Sequence, residues 1–307
     1  MSGEDGVLGA MLGLAVGDAL GAPLEGAPRG VAEGAVERGL EMVESRRWAM
    51  GQWTDDTALA LELAESIAEH GLLDTDDLAR RYIHWATSDG GGIGRTTRAA
   101  LVGALDADET RRRAADFHAR TGLGASNGSV MRCAPIGLVA RDLEQARDAA
   151  AADAGLTHGH PAAARASAAL CAALVALRRG DDPVAAAGAE ADAANELDRA
   201  LVLAADEDRE TLLALTTGRA AGACWTTLAV GLCALASIGH YERGVTWAIS
   251  LGGDTDTNAA VAGALLGCAH GPRAIPRRWL KPLAQRQRLE RAARALAERA
   301  ASGEVTS

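Results

Sequence analysis

The sequence predicts an all-α fold in a single domain, and three observations carry that expectation. Apolar residues make up 48% of the chain and are mostly Ala and Leu, while aromatics are only 3%. That mixture favours helix, because β-branched and aromatic residues are the strand formers. Helical periodicity with capping residues recurs nearly everywhere, and no convincing alternating strand interrupts it. No low-complexity linker or fixed-period repeat divides the 307 residues, so 1–307 reads as one domain with a sizeable core.

Taken in order, the N-terminal Met1-Ser2-Gly3-Glu4-Asp5 is acidic where a signal peptide would be basic, and Asp18 interrupts the apolar run behind it. The stretch AVGDALGAPLEG, residues 15–26, sets Asp18 and Glu25 around a turn containing Gly and Pro. It reads either as a left-handed cap at Gly21 with a solvated Glu25, or as a mobile loop that carries a carboxylate to a site. After Trp53-Thr54-Asp55-Asp56, the stretch Thr57–His70 places Glu62, Glu65, Ser66 and Glu69 on one stripe. Leu59, Leu63 and Ile67 fall on the opposite face, and Gly71 ends the helix. Asp74 and Thr75 cap the next helix, to about Thr87.

The glycine-rich SDGGGIGRTTR, residues 88–98, reads as a flexible loop before a helix. No strand precedes it, so it is no dinucleotide-binding turn. GASNGSVMRCAPIGLVA, residues 124–140, puts small polar residues ahead of a helix expected from about Ser129. Backbone N–H groups and the helix dipole make such a place a phosphate seat. THGHPAA, residues 157–163, sets His158 and His160 before a helix opened by Pro161 and closed by Arg178, Arg179 and Gly180. These histidines are either structural or contacts to a ribose or phosphate. Further helices fit 189–205, 209–216, 222–238, 241–250 and 286–300. The segment Gly222–Ile238 is apolar, but it is short for a membrane span and holds Thr226, Thr227 and Ser237, so a buried core helix is expected.

A net charge of -10 argues against a nucleic-acid groove, which needs a basic stripe, and leaves room for a small anionic ligand held by dipoles and a cation. Cys133, Cys171, Cys224, Cys233 and Cys268 are odd in number and form no CxxC pair, so they read as buried thiols in a reducing compartment. A cytoplasmic monomer without membrane contact is expected.

Two acid-and-threonine clusters demand a chemical explanation: Thr54-Asp55-Asp56-Thr57, and Asp254-Thr255-Asp256-Thr257 ahead of the small, apolar run Ala259–Ala269. Helix capping is one reading, since Asp and Thr are preferred N-caps. It explains one carboxylate per helix and not the second. If the two helices pack together, four carboxylates and several hydroxyls converge with no basic residue adjacent in sequence. Hard divalent cations take such oxygen ligands, and two Mg²⁺ or Mn²⁺ ions would balance four carboxylates.

Together these stretches resemble the ADP-ribosylglycohydrolase family, which includes dinitrogenase reductase-activating glycohydrolase and the ADP-ribosylarginine and ADP-ribosylserine hydrolases. WTDDT and GGDTDTNAAVAGALLG carry the resemblance most specifically, GDALGAPLE and SNGSVMR strengthen it, and the match runs from Gly13 to about Trp279. It implies an all-α, roughly orthogonal helical bundle with a binuclear Mg²⁺ or Mn²⁺ centre. On matching positions the metal ligands fall on Thr54, Asp55, Asp56, Asp254, Asp256 and Thr257. Glu25 matches a mobile acidic residue and is implied as the catalytic acid/base. Ser126, Asn127, Gly128, Ser129 and Met131, with His158, match regions that hold ADP-ribose. One departure stands out: many members have Asp-Ile-Gly, with a proposed catalytic base, where this chain has Gly92-Ile93-Gly94, and the nearest acid, Asp89, is out of register. The implied function is metal-dependent hydrolysis of the N- or O-glycosidic bond joining ADP-ribose to a modified protein or small molecule. The alternative is an ADP-ribose-binding homologue with weak or no turnover.

Overall fold

The structure, a computed structural model, describes residues 3–191, 198–202, 212, 214–216 and 218–302. In chain order the helices are α1 (Gly3–Gly21), α2 (Arg29–Glu37), α3 (Asp55–His70), α4 (Thr75–Ser88), α5 (Arg95–Leu101), α6 (Ala107–Thr121), α7 (Ala134–Val139) and α8 (Leu143–Gly155). They continue with α9 (Pro161–Arg179), α10 (Pro183–Gly188), α11 (Cys224–Cys233), α12 (Tyr241–Ser250), α13 (Thr255–His270), α14 (Arg277–Leu280) and α15 (Arg286–Ser302). Among the described residues there is no strand, only an isolated bridge between Ser126 and Ala223. One continuous apolar core runs from Val7 on α1 to Leu296 on α15, as an all-α single domain requires.

Glycines every fourth residue along α1 decide how that core is assembled. Gly9, Gly13, Gly17 and Gly21 share one helix face. A Cβ there would lie 2.1 Å from Gly267 O, 2.2 Å from Gly263 O, 2.1 Å from Ala259 O and 2.5 Å from Asp256 Cα, respectively. The backbones of α1 and α13 therefore touch along an antiparallel seam, the most extensive helix pairing in the fold. Tyr241 on α12 donates to Gly13 O at 2.9 Å, and Thr255 Oγ1 donates to Gly21 O at 2.9 Å. The seam sets the C-terminal end of α1, with Asp18, against the N-terminal end of α13, with Asp254 and Asp256.

Gly21 is consequently not a left-handed cap. Its φ of -77° is right-handed, because the position serves the close approach, and the positive φ falls instead at Gly26 (76°) after a 3₁₀ turn over Ala22–Leu24. Gly17→Val is expected to cost about 3 kcal/mol, the upper end of overpacking penalties. Gly30→Ala on α2, with nothing within 4 Å of the added carbon, is the control. Equal denaturant midpoints for the two variants would contradict the seam.

Most helix ends obey local signals. Gly71 closes α3 by donating to Ile67 O, Asp74 caps α4 by accepting from Asp76 N and Asp77 N, and Gly180 closes α9 with a left-handed φ of 80°. The helices expected at 241–250 and 286–300 are α12 and α15. That expected at 222–238 starts at Cys224 and widens into a π-turn over Ala234–Ile238. The helix expected from Ser129 begins only at Ala134, since the preceding residues turn around the Arg132 side chain, which holds Gly128 O. Of the helices expected at 189–205 and 209–216, residues 192–197, 203–211 and 213 lie outside the described residues.

Among the described residues two helical stretches are long and apolar enough to cross a membrane, Gly3–Leu24 and Pro161–Arg179, and both lie mostly inside the fold as core elements. All five cysteines are buried and none forms a disulfide. The acidic stripe of α3 meets α15, where Arg288 pairs with Glu62 and Glu65.

Candidate active site

The N-terminal ends of α3 and α13 meet at the C-terminal end of α1, which brings both acid clusters to one place. Thr54, Asp55, Asp56, Asp256 and Thr257 are all buried. Neither helix uses its own first residue as a cap: the Thr54 and Asp254 side chains make no capping hydrogen bond. Asp254 Oδ2 instead accepts from Asn127 Nδ2 at 2.9 Å, and Thr54 Oγ1 donates to Asp56 Oδ2 at 3.1 Å. Capping, the simpler reading of these residues, does not account for them.

The capping of α3 is done from another helix. Asp18, fully buried on α1, accepts from Thr54 N with both oxygens at 3.0 Å, and its Oδ2 also accepts from Thr57 N at 3.0 Å and Thr57 Oγ1 at 2.6 Å. Burial raises its carboxyl to about 6 despite those bonds. This role was missed in sequence, where Asp18 is only an acid in an apolar run; its isolation on an otherwise buried helix is the signal that could have found it.

The remaining carboxylates are held against their charge. Burial, and then Asp18, raise Asp55 to about 7. Burial also pushes Asp56 and Asp256 well above the usual carboxylate range, and every charge acting most strongly on them is another carboxylate. Asp56 Oδ1 is buried and has no hydrogen-bond partner. An unpaired buried carboxylate oxygen costs several kcal/mol (order of magnitude) unless a cation meets it. Among the described residues no three His, Cys, Asp or Glu side chains converge tightly enough to clasp an ion. The donor set nonetheless suits a hard cation, being carboxylate and hydroxyl oxygen throughout. The residues fit a divalent metal.

Beside the cluster lies a cavity of about 440 Å³ lined by Glu25, Arg29, Thr216, Gly222 and Asp254 among others. Across Asn127, the acid cluster joins the loop at 125–128. Asn127 Nδ2 also donates to Thr227 Oγ1 at 2.9 Å, while Asn127 N donates to Gly222 O and Cys224 N to Ala125 O. Gly128 is a glycine by contact, since a Cβ would stand 3.0 Å from Thr97 Oγ1 and 3.1 Å from His158 Cε1. Ser126 Oγ meets His158 Nε2 at 3.0 Å. Ser126, Asn127, Gly128 and His158 thus come together, but Ser129 and Met131 do not face the cleft. Ser129 is fully buried between Ser167 Oγ and Ala163 O, and Met131 packs in the core. His160 is spent as the N-cap of α9.

A sequence profile built on ADP-ribosylglycohydrolases matches residues 2–305. The chain belongs to the ADP-ribosylglycohydrolase family. It is 31% identical over 272 residues to an ADP-ribosylarginine hydrolase of Pseudomonas putida, covering 83% of this chain and 68% of that one. It is 29% identical to the ADP-ribosyl-dinitrogen reductase glycohydrolase of Rhodospirillum rubrum, covering 91% and 90%. A solved structure described as an ADP-ribosylglycohydrolase-related protein complex aligns with a TM-score of 0.76 at 33% identity, over 97% of this chain and 99% of that one. The chain is therefore a glycohydrolase enzyme with the family's all-α fold.

Within this glycohydrolase, the acid/base candidates sit differently. Glu25 is exposed and pairs with Arg47 Nη1 at 3.1 Å, while Arg47 itself lies 5.0 Å from the centre of a Trp48 ring. Desolvation raises the Glu25 carboxyl, Arg47 partly offsets this, and Asp254 adds to it. Gly92 adopts φ 88°, and a Cβ there would stand 2.5 Å from Asp55 Oδ1. An aspartate at this position would have to displace Asp55. Asp89 is exposed and lines a narrow niche of about 60 Å³ with Trp48, Trp53, Trp85 and Thr54.

Proposed function

We propose that this glycohydrolase uses two Mg²⁺ or Mn²⁺ ions to cleave the N- or O-glycosidic bond between ADP-ribose and a modified protein or small molecule. Thr54, Asp55, Asp56, Asp254, Asp256 and Thr257 would hold the ions. The observation that carries this reading is the buried, unpartnered Asp56 Oδ1 within a cluster of carboxylates at helix starts whose own N-cap side chains, Thr54 and Asp254, make no capping bond. When bound, the ions would supply positive charge that polarises water and fixes ribose hydroxyls. The Ser126–Gly128 loop would hold the ligand at the other side of Asn127, which bridges to Asp254.

Glu25 is the acid/base of this proposal. Its carboxyl is shifted upward from the ordinary value, the direction an acid/base requires, and it lines the same cavity as Asp254. To act, it exchanges its surface ion pair with Arg47, a pair worth little in solvent. Arginine-linked ADP-ribose is the first substrate to test. The niche of Trp48, Trp53 and Trp85 with Asp89 beside Thr54 offers aromatic faces and a carboxylate to a cationic leaving group, and a relative carries that activity in its name.

The deciding experiment presents arginine-, serine- and nucleic-acid-linked ADP-ribose to the protein with Mg²⁺, with Mn²⁺ or with chelator. Free ADP-ribose is expected only with metal; equal release under chelator would refute the metal reading. Glu25→Gln is expected to lower kcat by about 10²–10⁴-fold with little change in ADP-ribose affinity, whereas Asp89→Asn changes kcat no more than severalfold. The reverse pattern would move the acid/base role to Asp89.

A further inference from the structure

Behind the Ser126–Gly128 loop lies a buried polar chain that neither metal binding nor proton transfer uses. Arg132 and Asp153 are fully buried, with Arg132 Nε 3.1 Å from Asp153 Oδ2. Tyr82 Oη donates to Asp153 Oδ1 at 3.0 Å, and the guanidinium lies 4.7 Å from the Tyr82 ring centre. Arg132 Nη1 donates to Gly128 O at 3.0 Å; Nη2 donates to Asp153 O at 3.0 Å and to Thr157 Oγ1 at 2.8 Å. A buried ion pair is weak evidence for stability, so this one invites another explanation.

A guanidinium only donates, and that fixes the direction of every bond beyond it. Thr157 Oγ1 accepts from Arg132, so its own proton goes to its other partner, His158 Nδ1, at 2.7 Å. An accepting Nδ1 puts the ring hydrogen of neutral His158 on Nε2. Burial, with Arg132 adding, lowers His158 to about 3, so the ring is neutral across the physiological range. Nε2–H then donates to Ser126 Oγ at 3.0 Å, and Ser126 donates to Thr96 Oγ1 at 3.1 Å. Among the described residues the Thr96 hydroxyl has no acceptor of its own. The opposite tautomer would strand the Thr157 proton in the interior, at about 1–3 kcal/mol.

We propose that the Arg132–Asp153 pair, acting through Thr157 and the Nε2–H tautomer of His158, commits the Ser126 proton to Thr96 and so aims the Thr96 hydroxyl at an oxygen acceptor of bound ADP-ribose. Arg132, Thr157, His158 and Ser126 are then positioning residues, the chain reaching the ligand through Thr96, which is a further ligand donor. This rests on reading the Ser126–Gly128 loop as part of the ADP-ribose site.

Two measurements on the full chain test it. Nitrogen-15 NMR of wild type is expected to show His158 with a pyrrole-type Nε2 and a pyridine-type Nδ1; the opposite assignment overturns the chain of bonds and needs no variant to fold. Calorimetry with ADP-ribose in the presence of Mg²⁺ is expected to show about tenfold weaker binding for Thr157→Val, the worth of one hydrogen bond, and recovery in Thr157→Ser, which keeps the hydroxyl. Thr96→Val should weaken binding similarly while leaving the His158 tautomer unchanged. Wild-type affinity in both valine variants overturns the aiming role. Absence of ADP-ribose binding by wild type overturns the reading of the site, and the tautomer still decides the chain of bonds separately.

Discussion

Replacing Asp56 by asparagine is expected to stabilise the metal-free protein and to lower turnover by about 10²-fold or more, the scale on which metal-site residues act. Both effects come from one arrangement: Asp56 is buried among carboxylates, with one oxygen lacking any partner. The pH dependence identifies the cause. A carboxyl whose folded value is raised keeps a proton that the unfolded chain has lost, so stability falls as pH rises between the ordinary value and the raised one. Asp18 rises to about 6 and Asp55 to about 7, while Asp56 and Asp256 rise well above the usual range. Each group in its window contributes about 1.4 kcal/mol per pH unit.

His158 has the opposite sign. Lowered to about 3 from 6.5, it costs stability as pH falls through that interval and contributes no slope above it. The window that isolates the carboxylates therefore lies above 6.5. Under chelator, the wild-type Tm is expected to fall as pH rises from 6.5 through the Asp55 value of about 7, and added Mg²⁺ or Mn²⁺ should restore it by holding the carboxylates ionised. Asp56→Asn should show a shallower fall and little rescue by metal. A flat wild-type profile under chelator would refute the cluster as a cation site.

Asp18→Ala is expected to be the most destabilising change at the site, by at least about 3 kcal/mol. It leaves the Thr54 and Thr57 backbone N–H groups and the Thr57 hydroxyl buried without their acceptor, at about 1–3 kcal/mol for each unsatisfied group. Metal affinity should fall with it, because the start of α3 carries Asp55 and Asp56. Asp18→Asn keeps an acceptor oxygen and removes the charge, so it separates the two contributions and should recover much of the stability. Urea denaturation and metal titration read the two effects. Wild-type stability in Asp18→Ala would show that α3 does not depend on this cross-helix cap.

The all-α class, the ends of α3, α4 and α9, and the pairing of two acid clusters were legible in the residue order. Caps, glycine stops and helical periodicity act over a few residues, so local chemistry suffices for them. The family resemblance was legible for the same reason, since its motifs are short. The use of those motifs depended on contacts far apart in sequence. Asp18 caps Thr54 across 36 residues, and Asn127 reaches Asp254 across 127, so no local pattern announces either bond. Gly21 reads locally as a helix cap, yet the backbone of α13 claims it. Thr54 and Asp254 read as caps but turn their oxygens elsewhere, and Ser129 and Met131 match ligand-holding positions but lie buried in the interior. In each case a side chain with several acceptable local partners took the one that packing brought closest, and packing of distant helices is settled by the tertiary structure alone.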